Sequence, residues 1–299
     1  GGTGKTSLVE FIARYLKMQG HKVAILSRGY KRKTFVPNFK NPETTPPSYE
    51  AMGDEPYMLK MRLEDIPVLV DKDRIRSAFR AIEVFRVDTV ILDDGFQQWR
   101  MEKDLEIVAI DATRPFGNRR LIPRGILREP LSALRRAGLF VLTKTNLNKD
   151  TVGIIDLLHE FSPGIDVLES SHEPVGFFDI NQPQELLSPD FLKSRDVCLF
   201  SGIGDPDSFE GLMEDLEVKV GLSFRFSDHY VYTKQDLENI FRMSRQNKID
   251  TLVTTEKDFA RFAFLKTQTD EFRIYCLRIQ LSFKDEQRFF HRLLRLYPA

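Results

Sequence analysis

The chain opens Gly1-Gly2-Thr3-Gly4-Lys5-Thr6, the C-terminal part of the pattern GxxxxGK[ST]. Glycines let successive backbone N–H groups converge on phosphate oxygens. A lysine beside them neutralises β- and γ-phosphate charge, and the threonine hydroxyl ligates Mg²⁺. The helix that follows aims its positive end at the same oxygens. Gly1, Gly2, Thr3, Gly4, Lys5 and Thr6 are the candidate nucleotide-binding set, with ATP and Mg²⁺ as the expected cofactors. A second string, Val90-Ile91-Leu92-Asp93-Asp94-Gly95-Phe96-Gln97, is an apolar run ending in acid. A strand-end Asp beside a phosphate loop holds the metal, although DDG is also good turn sequence. Both strings belong at strand C-termini, where α/β sheets bind ligands.

Three further strings carry reactive side chains. Gly53-Asp54-Glu55-Pro56 places an acid before a helical run, as a cap or as a catalytic carboxylate. Phe226-Ser227-Asp228-His229-Tyr230 contains one of five histidines; taken singly, His229 reads as a structural or surface residue. From Arg114 to Arg136 there are seven arginines and one acid, Glu129. Arginine favours bidentate phosphate contacts, so this stretch suits a phosphorylated ligand, and a solvated surface is the plainer alternative.

The elements that must position these residues alternate. Leu8, Phe11, Ile12 and Leu16 recur at helical spacing, and Gly20 closes that helix. Strands are expected at 22–26, 68–70, 89–92, 105–110 and 139–142, with helices at 55–63 and 74–85 and a loop over 31–49. After a proline-bearing stretch at 162–194, read as a connector, the alternation resumes. Strands fall at 196–200, 218–226, 251–254 and 272–278, with helices between them and at 286–296. Strands separated by helices imply an α/β fold with a mostly parallel sheet covered on both faces. With 299 residues, two domains are expected: a P-loop NTPase domain over 1–165 and a smaller Rossmann-like domain over 166–299 that includes the connector.

Composition narrows the class. Hydrophobic residues are 41% and charged residues 29%, which describes a globular chain. Forty-four basic and 44 acidic side chains cancel, so nothing global draws the protein to nucleic acid. Cys198 and Cys276 stand far apart in short apolar runs and read as buried strand residues. No apolar run approaches the roughly 20 residues of a membrane span. The chain begins without Met and inside the glycine loop, where a strand normally precedes. Residues before Gly1, including any membrane-anchoring segment, are therefore expected.

Together the strings resemble the tetraacyldisaccharide 4'-kinase family: GGTGKT (1–6), ILSRGYKRK (25–33), GDEPYML (53–59), ILDDGFQ (91–97), LREPL (127–131), SGIGDP (201–206), DHYVY (228–232) and TTEKD (254–258). The resemblance spans nearly the whole chain, and its ordered set is far more specific than any one string. It implies transfer of the ATP γ-phosphate to the 4'-hydroxyl of a tetraacylated glucosamine disaccharide 1-phosphate, the lipid A precursor. It also implies two α/β/α domains with a cleft, and peripheral attachment to the anionic cytoplasmic face of the inner membrane through a segment before Gly1. The resemblance implies that Asp54 pairs with His229 to deprotonate the hydroxyl, and Lys5 is expected as a third catalytic residue. It further implies that Thr6, Asp93 or Asp94, and Glu129 hold Mg²⁺; Gln97 and Arg128 are expected to contact substrate. A monomer without nucleic acid is expected. The family often has His after DDGFQ where this chain has Gln98, so no histidine role carries over there. Two other readings of the glycine loop are a partitioning or metallochaperone ATPase, against which the bases of ILSRGYKRK stand, and a nucleotide-gated binding module.

Overall fold

The computed structural model describes residues 3–29, 49–148, 150–262 and 271–297. Gly1 and Gly2 of the phosphate loop, and most of the expected loop at 31–49, lie outside the described residues. In chain order the elements are α1 (Lys5–Met18), β1 (Val23–Ser27), α2 (Tyr49–Met52), α3 (Asp54–Arg62), β2 (Val68–Val70), α4 (Arg74–Phe85), β3 (Thr89–Leu92), β4 (Ile107–Asp111), β5 (Leu139–Thr143), α5 (Val152–Phe161) and β6 (Val167–Asp179). They continue with β7 (Asp196–Ser201), α6 (Pro206–Asp215), β8 (Lys219–Arg225), α7 (Lys234–Gln246), β9 (Thr251–Thr255), α8 (Glu256–Phe262), β10 (Arg273–Phe283) and α9 (Glu286–Leu294).

The chain forms two compact units, and neither is a continuous stretch. The phosphate-loop unit takes 3–28, 65–148, 150–173 and 281–297; the second unit takes Gly29, 49–64, 174–262 and 271–280. The interleaving differs from consecutive domains over 1–165 and 166–299. The stretch expected as a connector at 162–194 crosses between the units, but as a strand rather than an irregular linker: β6 runs through it for 13 residues. Pro174 within β6 has no N–H for a ladder, which makes the run read poorly as a strand. It stands where the chain leaves one unit for the other.

In the phosphate-loop unit, β1 lies between β2 and β3, parallel to both: Ile25 is level with Val68 and with Ile91. All five β1 residues are buried, as a central parallel strand requires. β5 pairs in parallel with β4 and with the first residues of β6. Phe140 and Leu142 of β5 pack with Ile154 and Leu158 of α5, which recur four apart on one helix face. On α1, the Phe11 ring meets those of Phe283 at 5.0 Å and Phe289 at 5.8 Å, and stacks on Phe290 at 5.6 Å.

In the second unit β10, β9, β7 and β8 lie side by side, and the pairings of β10 with β9, β9 with β7 and β7 with β8 are parallel. β7 shows why its sequence is an unbroken apolar run. Cys198 and Phe200 enter one core, with Leu252 and Ile274, while Val197 and Leu199 enter another, with Val253 and Leu277. The two cysteines are buried and free, and burial pushes the Cys198 thiol up to about 11, so it behaves as a small core residue. α7 begins at a capping box in which Thr233 and Asp236 satisfy each other's backbone N–H.

Candidate active site

The glycine loop ends at Gly4, whose φ of +73° is left-handed. A Cβ there would lie 3.0 Å from the His172 ring and 3.1 Å from Thr143. Thr143, at the end of β5, donates its hydroxyl to the Thr3 carbonyl at 3.2 Å, tying the loop to the strand ends. Thr6 in the first turn of α1 is buried.

The strand-end acids follow from the β1–β3 ladder. Asp93 N–H donates to Leu26 O at 3.0 Å, continuing the strand by one residue, and Asp93 Oδ2 accepts from the buried Ser27 hydroxyl at 3.1 Å. The chain then turns sharply. Asp94 has φ of +55°, and a Cβ at Gly95 would meet Leu92 Cβ at 2.5 Å, so glycine is required there. The turn sends Asp94 outward into a row of polar groups. Lys5 Nζ is 3.3 Å from Asp94 Oδ1, Arg128 Nη1 is 2.7 Å from Asp94 Oδ2, and Arg128 Nη1 is 3.5 Å from Gln97 Oε1. Burial raises the Asp94 pKa, but Lys5 and Arg128 outweigh it and hold the carboxyl below its ordinary value. The Lys5–Asp94 pair is more than a third exposed on both sides. Such a pair contributes about 0–1 kcal/mol, so Lys5 can exchange it for a phosphate oxygen at little cost.

Glu129 is held by Arg136, whose Nη2 donates to Oε2 at 2.9 Å while the guanidinium lies 4.3 Å from the centre of the Phe96 ring. Glu129 Oε1 is buried with no hydrogen-bond partner among the described residues. Among those residues no three His, Cys, Asp or Glu side chains are gathered as a metal cage. Thr6, Asp93, Asp94 and Glu129 are therefore not a preformed all-protein site: Asp94 and Glu129 are each engaged by cations. The set still fits Mg²⁺, which takes one or two carboxylates and completes its shell with phosphates and water. The orphaned oxygen of Glu129 is the kind of ligand such a shell uses. Gln98 is fixed in the turn through its backbone, which donates to Gly95 O and accepts from Lys103 Nζ.

The second group lies wholly in the second unit. Gly53 (φ +87°) leads into α3, whose first turn carries Asp54 and Glu55; acids there complement the helix dipole. Asp54 is 5% exposed. Its Oδ2 is 2.8 Å from His229 Nδ1 and 2.8 Å from Arg261 Nε. His229 follows β8 with φ of +63°, and its N–H donates to Gly202 O at 3.1 Å. Asp228 Oδ2 stands 3.7 Å from His229 Nε2. Burial raises the Asp54 pKa, yet Arg261 and His229 together outweigh it, so the carboxyl is held below its ordinary value. Asp54 and His229 belong to the same unit, so their contact needs no movement of one expected domain onto another. Sequence reasoning missed Arg261, Ser27 and Thr143, and named Arg136 only as part of the arginine stretch. Only Ser27 and Thr143, at strand C-termini, stood in a place that could have marked them.

The sequence profile of the tetraacyldisaccharide-1-P 4'-kinase family matches residues 1–297. The chain belongs to this family. Among curated relatives named tetraacyldisaccharide 4'-kinase, that of Elusimicrobium minutum is 37% identical over 308 aligned residues, covering 100% of this chain and 80% of the relative. That of Syntrophobacter fumaroxidans is 38% identical over 298, covering 98% and 76%. Among solved structures, LpxK from Aquifex aeolicus in complex with ATP is similar with a TM-score of 0.76 and 30% identity, over 100% of this chain and 85% of that one. A match to the kinase family along both units leaves no room for a partitioning ATPase or a nucleotide-gated module.

Proposed function

We infer that this chain is an ATP-dependent kinase of the lipid A pathway. It phosphorylates the 4'-hydroxyl of a tetraacylated glucosamine disaccharide 1-phosphate to give lipid IVA. The observation that carries the reading is the Lys5–Asp94–Arg128–Gln97 row at the start of α1, in a chain matched by the kinase family over 1–297. Gly4, Lys5 and the α1 N-terminus hold the β- and γ-phosphates, and Arg128 and Gln97 orient the reacting ends. Mg²⁺, when bound to Thr6, Glu129 and Asp93 or Asp94, neutralises charge on the transferring phosphoryl group. The 4'-oxygen bonds to the γ-phosphorus, the bond to the β–γ bridging oxygen breaks with ADP leaving, and the hydroxyl proton passes to the Asp54–His229 pair. ATP consumption that depends on added lipid disaccharide tests the reading; equal consumption without it would overturn the substrate.

Mg²⁺ ligation has its own check. Asp93→Asn and Glu129→Gln each raise the Mg²⁺ concentration that gives half-maximal rate, on the order of tenfold for a lost carboxylate ligand. Unchanged Mg²⁺ titrations in both variants would remove these residues from the metal.

We assign the protein, acting as a monomer and without nucleic acid, to the anionic cytoplasmic face of the inner membrane. Among the described residues no helix is long and apolar enough to cross a membrane. Support for peripheral contact comes from the arginine stretch, where Leu121 (45% exposed), Ile122 (62%) and Ile126 (63%) face solvent among exposed Arg119, Arg120 and Arg124. The loop is held by Gly125 N–H on Leu121 O, Leu127 N–H on Arg120 O and the Asn118 side-chain amide on Arg124 O. Aliphatic tips between arginines suit a lipid interface. Ile122→Ser with Ile126→Ser is expected to weaken flotation with phosphatidylglycerol vesicles about tenfold or more. Flotation equal to the parent would dismiss the loop as a membrane contact.

A further inference from the structure

We propose that Arg261 is a positioning residue for phosphoryl transfer: from inside the second unit it holds the Asp54 carboxylate against His229, and the SGIGDP and TTEKD strings serve to hold Arg261. The proposal rests on the reading of Asp54 and His229 as the proton-accepting pair.

The Arg261 side chain is fully buried. A buried guanidinium costs several kcal/mol unless it is paired and its N–H groups are occupied. Nε donates to Asp54 Oδ2 at 2.8 Å, and Nη1 donates to Gly202 O at 2.6 Å and to Asp258 Oδ1 at 3.1 Å. Asp258, one turn earlier on α8 and also fully buried, is gripped from all sides. Gly202 N–H (2.9 Å) and Tyr232 OH (3.0 Å) donate to Oδ1, and Thr255 OH donates to Oδ2 at 2.6 Å. Thr254 OH donates to Phe200 O at 2.8 Å, locking β9 to β7 beneath. Gly202 is the hub, because its carbonyl accepts both from Arg261 Nη1 and from the His229 backbone N–H. A Cβ at Gly202 would come 3.0 Å from Tyr230 Cβ and 3.2 Å from Asp258 Oδ1, so a side chain there would crowd the hub. One guanidinium thus refers the Asp54 side chain and the His229 backbone to the same point.

A guanidinium kept only for packing would be compensated by Asp258 on its own helix. Instead the Nε arm reaches α3 and takes the oxygen of Asp54 that also meets His229. Besides Arg261 and Asp258 on α8, the charged groups around Asp54 among the described residues are His229 and Asp228 after β8. The α3–α8 pairs Glu55–Lys257 (3.8 Å) and Arg62–Glu256 are next, with Arg278 also on Glu256. Among the described residues, Arg261 is the cation in direct contact with an Asp54 carboxylate oxygen besides the imidazole.

The test is the pH profile of kcat/KM for the lipid disaccharide, in the full-length protein. Asp54 acts as its carboxylate, so activity falls as pH drops through its pKa. Arg261→Gln removes the cation and leaves His229 alone to oppose burial. The acid limb then moves to higher pH by about one unit or more, with ATP KM little changed. Arg261→Lys keeps a cation beside Asp54 and restores the limb. Asp258→Asn frees the guanidinium from its other carboxylate, so the limb moves the opposite way, to lower pH; this variant carries the test if Arg261→Gln does not fold. Acid limbs unmoved in Arg261→Gln and Asp258→Asn, with activity lost only in step with melting temperature, would overturn the proposal. Asp54→Asn separates the two readings. If it stays active, the pair itself is wrong; if it is inactive while the limbs stay put, only the Arg261 role fails.

Discussion

Lys5→Ala lowers kcat by about 10³-fold or more, the loss of several kcal/mol of transition-state stabilisation, and leaves the fold nearly as stable as before. The two halves of this expectation have different physical sources. On the proposed role, the Lys5 ammonium faces charge developing on the transferring phosphoryl oxygens in the transition state, at the N-terminus of α1, where a fixed cation needs no reorganisation. In the ligand-free protein the same ammonium makes one half-exposed pair, 3.3 Å from Asp94, worth about 0–1 kcal/mol. Asp94 keeps Arg128 at 2.7 Å when Lys5 is removed. A melting temperature lowered by no more than about 4 °C is therefore expected beside the kinetic collapse. Steady-state kinase assays with a thermal melt of the same sample check both. Near-parent activity would dismiss the phosphate-loop role of Lys5.

His229→Ala and Asp54→Asn each slow phosphoryl transfer by about 10²–10⁴-fold, and the double variant is little slower than the slower single one. The two side chains meet at 2.8 Å, so removing either abolishes the pair, and the second removal has nothing left to take away. Asparagine is the informative change at Asp54. Alanine would leave the buried Arg261 guanidinium with Asp258 as its remaining contacting carboxylate, and breaking a buried pair costs about 3–5 kcal/mol. Loss of activity in Asp54→Ala would then mix chemistry with unfolding. His229 is 19% exposed at its side chain, and its truncation costs less stability. Single-turnover rates of the three variants decide: losses that multiply fully would mean that the residues act independently.

The α/β class, the elements and both reactive strings were legible because they are written locally. Leu8, Ile12 and Leu16 recur at helical spacing and are buried. β7 is apolar throughout because it faces two cores, and DDG makes a left-handed turn after β3. Where local signals conflicted, the reading failed. Pro174 and the polar residues of 167–179 made a 13-residue strand look like a connector. Helix α5 went unread, although Ile154 and Leu158 recur four apart and are buried.

Residue types at short spacing thus determined the phosphate loop, the strand-end acids and the candidate pair as separate strings. What each reactive group touches was decided by the tertiary structure alone. Asp54 and His229 are 175 residues apart in the chain, and Asp54 and Arg261 are 207 apart. Arg261 looks in sequence like any base near the end of a short helix. Its burial, and with it the electrostatics of Asp54, exists only once α3 and α8 pack in one unit, because a charge's free energy depends on the water it loses and the partners it gains rather than on its neighbours in the chain.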